Sequence, residues 1–137
     1  MADITITPAN VLAGAGSAQS LATAGATITA GQVLYHDAAD GKAKLADNNG
    51  ATAIIRKVRG IALNGASNGQ PVMILTEGDI TLGAVLTAGV TYYLSDTPGG
   101  ICPAGDLTTG EYPTILGVAK STTVLSVKLH AAGVALA

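Results

Sequence analysis

The stretch with the most chemical promise is Gly65-Ala66-Ser67-Asn68-Gly69, a literal Gly-x-Ser-x-Gly. In enzymes that use this signature, a strained strand-to-helix turn exposes the serine as a nucleophile. An acid and a histidine further along the chain complete the proton relay. Here the run that follows, Gln70-Pro71-Val72-Met73-Ile74-Leu75, has strand character and is closed by Glu77-Gly78; the only later histidine is His130. The spacing predicts a hairpin turn around Ser67. Gly14-Ala15-Gly16-Ser17-Ala18-Gln19 lacks the final glycine of a dinucleotide fingerprint and has no βαβ unit around it. His36, Asp37 and Asp40 offer one nitrogen and two oxygens, fewer than a calcium loop supplies, and an Asx turn uses the same residues. Cys102 stands beside Pro103 with no adjacent histidine or lysine to lower its pKa. No catalytic set, cofactor site or metal site is expected, and the chain reads as a non-enzyme.

The elements that would position any site are short strands. Asp3–Thr7 alternates and stops at Pro8. Strand patterns recur at Gln32–His36, Lys42–Ala46, Arg59–Asn64, Pro71–Thr76, Asp79–Leu82, Thr91–Ser95, Thr114–Lys120 and Thr123–His130. Between them lie Gly-, Asn- and Pro-based turns, including Asn49-Gly50, Glu77-Gly78 and Thr97-Pro98-Gly99-Gly100. Thr52–Arg56 has room for one helical turn, and no long helical period is present. This pattern predicts an all-β chain, a small β-sandwich or β-barrel with an extended N-terminal arm. Residues 1–27 form the N-terminal strand and arm, and 28–137 a single β domain.

That domain carries an internal echo. Thr29-Ala30-Gly31 matches Thr87-Ala88-Gly89 at an offset of 58, which also places Tyr35 on Tyr93 and Gly41 on Gly99. An offset of 57 places Gly60 and Ala62 on Gly117 and Ala119. Two related β-layers sharing one core would produce it.

Charged residues make up 12% of the 137 residues, about half the usual share near 25%. There is no Phe or Trp, so the core is aliphatic and thin. Thin cores are often completed by association, and a surface this poor in charge suits coverage by a partner. From Ile4 to His36 no Asp, Glu, Lys or Arg occurs; such a segment is expected to lie along a surface, its own or a neighbour's. Lys42, Lys44, Arg56, Lys57 and Arg59 are five of the seven cations, a patch suited to an acidic partner. The net charge of −2 gives no basic face for nucleic acid. The first residues lack a signal-peptide pattern and no apolar run reaches membrane length, so a soluble product made in the cytoplasm is expected, with no membrane partner.

Thr29–Tyr35, Arg59–Leu63, Leu86–Ser95, Pro98–Ile101 and Leu116–Ala119, with a last strand Val124–Leu129, resemble phage capsid cement proteins, the small head-decoration proteins. The resemblance covers residues 28–130. It implies a β-rich structural virion protein, commonly a homotrimer, seated on the outer capsid surface and bridging copies of the major capsid protein. The Tyr-Tyr-Leu-Ser and Pro-Gly-Gly-Ile pattern also occurs in phage fibre and tail proteins, so a fibre domain for host attachment is the alternative. On this reading Asp3, Ile4, Thr5, Ile6 and Thr7 reach a neighbour by strand addition. Arg56, Lys57 and Arg59 face an acidic partner, and Tyr92 serves as an aromatic anchor.

Overall fold

The structure, a computed structural model, describes residues 3–137. Among them the chain is all-β, with ten strands: β1 Leu12–Ala13, β2 Ala18–Thr23, β3 Val33–Asp37, β4 Lys42–Leu45, β5 Gly60–Ala62, β6 Pro71–Thr81, β7 Thr91–Leu94, β8 Ile101–Pro103, β9 Thr114–Ala119 and β10 Val124–Ala131. They make one curled antiparallel sheet in the order β4-β3-β5-β6-β10-β9-β7-β8, with β1 and β2 also paired to β6. Two short 3-10 turns, Pro8–Asn10 and Ala104–Asp106, are the helical elements.

The order is a palindrome. The run β3 to β6 and the run β7 to β10 trace the same path and meet where β6 pairs with β10. The register repeats as well: Leu34 lies opposite Gly60 as Tyr92 lies opposite Gly117, and Val33 opposite Ile61 as Thr91 opposite Val118. Loop bonds follow suit. Gly31 N donates to Ala62 O and Gly89 N to Ala119 O, both at 2.8 Å; Gln32 N donates to Thr29 O and Val90 N to Thr87 O. Gly31 and Gly89 both have positive φ, 94° and 82°, which a side-chain-bearing residue adopts only at a cost. The matching Thr-Ala-Gly triplets are thus two copies of one turn.

β6 departs from the expected pair of strands. Glu77-Gly78 does not reverse the chain, because the strand has partners along its whole length. Its first half pairs with β2 and β5, its second with β1 and β10. Gly78, with φ 111°, absorbs the bend where Ser17 packs closely. Residues 9–27 contribute β1 and β2 to this sheet, β2 through the run Gln19–Thr23 against Leu75–Pro71. Asp3–Thr7 is extended without being a ladder strand. Ile4 N donates to Ile101 O at 3.0 Å, and Ile4 and Ile6 pack on the main core while Thr5 and Thr7 stay exposed. The segment covers the β8 edge of its own molecule, where unpaired strand groups would otherwise face solvent.

Alternating residues of the first half fill two cores. Val33, Tyr35, Ile61 and Leu75 join Ile80, Tyr92, Leu94, Ile101, Leu116, Leu125 and Val127 in the large core. Leu34, Ala43, Ala62, Val72 and Ile74 point the other way, into a small core with Ala24 and Ile28. The curl of β2-β6-β5-β3-β4 encloses that small core, and a bridge from Ala24 to Ala43 joins its two edges. Asn48 ties the halves together: fully buried, it donates from Nδ2 to Leu94 O at 2.9 Å and to Glu111 Oε1 at 3.0 Å.

Candidate protein-binding surfaces

The outer face of the second half lies open. Pairing aligns Leu12, Thr81 and Val124 in one cross-strand row, and Asp79, Ser126, Val118 and Thr91 in the next. Leu12 is 67% exposed and Val118 44%. Their inward neighbours Ala13, Ile80, Leu125 and Ala119 belong to or pack on the large core, so strand alternation forces these side chains outward. The ion pair Asp79–Lys120, at 2.8 Å, is the one salt bridge on this face among the described residues. A strand surface that sets Leu12, Val124 and Val118 among Thr81, Thr91, Ser126 and an ion pair suits a protein partner.

The other expected interface residues are dispersed. Tyr92 is a core residue, 3% exposed, its hydroxyl accepting a hydrogen bond from Thr87 N at 2.9 Å. Its expected role as an outward anchor is corrected by the register: β7 places Tyr92 and Leu94 inward and leaves Tyr93 half-buried on the outer side. Arg56 is spent on its own loop, donating to Gly50 O at 3.2 Å and lying 3.7 Å over the Tyr112 ring. Lys57 and Arg59 are exposed. With His36 and Ala38, both exposed, they rim a recess of about 270 Å³ floored by Ile54 and Val58.

The residues read for chemistry form turns and ion pairs. Ser67 sits in the exposed turn before β6, its amide donating to Gln70 Oε1 at 2.8 Å, and a strand follows instead of a helix. Asp37 Oδ1 accepts from Ala39 N and Asp40 Oδ1 from Lys42 N, both Asx-type turn bonds. The position a cation would take between these carboxylates is held by Lys44 Nζ, 2.7 Å from Asp37 and 3.0 Å from Asp40. That hydrogen bond, and next the turn amides, hold both carboxyls below their ordinary value near 3.8. Groups so depressed contribute stability above the unfolded value and lose it as pH falls through the folded one. Wild type is therefore expected to lose part of its thermal stability between about pH 5 and pH 2 through this pair. In Lys44→Met, two unpaired carboxylates repel, so acid should cost that variant less. Melting temperature against pH for both proteins checks this; parallel curves would count against it.

The sequence did not signal a meeting of Asp3, Cys102 and Asp106, whose ligand-type atoms lie within 4.8 Å of one another. Burial, and then the nearby Asp3 and Asp106 carboxylates, push the Cys102 thiol up to about 12. A thiol kept protonated is neither a nucleophile nor a ready metal ligand. Only chain folding brings Asp3 to β8, so no local pattern could have revealed the cluster.

Comparison with known proteins finds no matching family model and no matching curated protein. No helix among the described residues is long and apolar enough to cross a membrane.

Proposed function

We propose that this chain is a structural virion protein of the capsid cement type, which binds the outer surface of a phage head and stabilises the lattice of the major capsid protein, as a homotrimer. The observation that carries the reading is the open sheet face around Leu12, Val124 and Val118. It sets exposed aliphatic side chains among small polar ones, with Asp79–Lys120 as its ion pair, and the remaining features agree with it: a thin aliphatic core and a resemblance confined to strand and turn patterns. Each copy that buries surface on more than one capsid subunit adds its binding free energy to the lattice.

Leu12→Asp and Val118→Asp test the face directly. As exposed substitutions they are expected to leave folding stability within about 0.5 kcal/mol of wild type. Occupancy on expanded empty capsids, read by co-sedimentation, should fall sharply, since a charge would be buried without a partner. Undiminished occupancy in both variants would remove this face from the interface. Copy number in stained gels of virions separates cement, at lattice stoichiometry, from an attachment fibre, at a handful per particle.

A further inference from the structure

We propose that the recess between His36, Lys57 and Arg59 receives a carboxylate flanked by an aliphatic side chain, presented by an acidic segment of a partner protein. The proposal deepens the surface-binding reading above and rests on it for the partner being a protein.

The recess is small, about 270 Å³, with a floor of Ile54 and Val58 and the exposed Ala38 at its edge. Ile54 and Val58 are packed on the large core, so the floor is fixed. The wall is held as well: Asp47 N donates to Ile55 O at 3.2 Å, and Arg56 bonds Gly50 O and covers Tyr112. The rim carries the charge. Among the described residues neither Lys57 nor Arg59 has an ion pair. Arg59 spends one guanidinium hydrogen bond on Ser20 Oγ, at 3.0 Å, which leaves N–H groups to grip a carboxylate. The two acids next to His36 are partly offset, because Lys44 bridges Asp37 and Asp40.

The fold leaves these cations outside its core. Lys57 and Arg59 are exposed, whereas the positions matching them in the second half, at the offset that aligns Gly60 with Gly117, are the buried Thr114 and Leu116. The lining includes no Phe, Tyr or Trp ring on which a base could stack. An apolar floor below a cationic rim complements an acidic side chain beside an aliphatic one.

The test is a heteronuclear NMR titration of the full chain with acetyl-Leu-Glu-Leu-amide and with acetyl-Leu-Gln-Leu-amide. The Glu peptide should give saturable shifts confined to residues 36–38 and 54–59, weakening with added salt. The Gln peptide should bind at least about tenfold more weakly, the loss of a charge-assisted contact. Lys57→Gln/Arg59→Gln should abolish the preference while melting as wild type does. Equal binding of both peptides, shifts elsewhere, or the same shifts from inorganic phosphate at lower concentration would overturn the proposal. On expanded capsids the double variant should show reduced occupancy. If wild type and variant bind capsids equally, the recess inference falls and the capsid reading stands. If wild type ignores capsids yet selects the Glu peptide, the capsid reading falls and the recess stands.

Discussion

Gly117→Ala is expected to destabilise the protein by at least about 3 kcal/mol, the upper end of the range for overpacking a well-filled interior. A Cβ at this position would lie 2.0 Å from Ser126 O and 2.8 Å from Ser126 C. Both are backbone atoms of β10, so no side chain can rotate aside; the strands must separate. Separation would break the β9–β10 ladder that closes the large core at Leu116, Leu125 and Val127. Gly60, its counterpart in the first half, meets the same obstacle, with Leu75 O at 2.3 Å, so Gly60→Ala should behave alike. Gly41 supplies the control. Its φ is 71° but a Cβ there meets nothing within 4 Å, so Gly41→Ala should cost only about 1–2 kcal/mol for the left-handed backbone. Urea midpoints for the three variants rank these costs. A Gly117→Ala protein as stable as Gly41→Ala would show that the strands at this point give way easily.

Cys102 should react with iodoacetamide at neutral pH at least about a thousandfold more slowly in the folded protein than in urea. The lift from 9.0 to about 12 lowers the thiolate fraction by about three powers of ten. The residue is also 2% exposed, so reagent must wait for local opening. The same shift fixes an alkaline dependence. Above about pH 9 the unfolded thiol ionises while the folded one keeps its proton, so stability falls as pH rises from there toward 12. Cys102→Ala should flatten that part of the stability profile. Labelling followed by mass spectrometry measures the first effect and denaturation against pH the second. Labelling in the native state as fast as in urea would mean that the thiol is neither buried nor held protonated.

The fold was partly written in local residue order. Asn49-Gly50, Thr97–Gly100 and the paired Thr-Ala-Gly triplets mark turns because each turn geometry depends on the residues within it. β3, β4, β7, β9 and β10 follow from β-rich runs between such turns, and from them the all-β class. Ser67 in a hairpin turn is also a local matter, settled within a few residues; the patch expected to include Lys44 loses it to Asp37 and Asp40 across the β3–β4 turn.

Pairing was not legible in the same way. Residues 9–27 carry no strong strand signal, yet Ala18–Thr23 becomes a strand because β6 offers a ladder to it. Glu77-Gly78 has the composition of a turn but runs straight through, since partners on both sides hold β6 extended. The sequence shows that one of Tyr92 and Tyr93 must point inward. Only the register against Gly117 decides that it is Tyr92. Asp3 meets Cys102 and Asp106, and His36 meets Lys57 and Arg59, through contacts between distant segments whose energies come from packing and burial across the sheet. By itself the sequence determined a charge-poor, aliphatic β chain with two related halves; the tertiary structure decided which side chains face outward, because a strand's faces are assigned by its neighbours and not by its own residues.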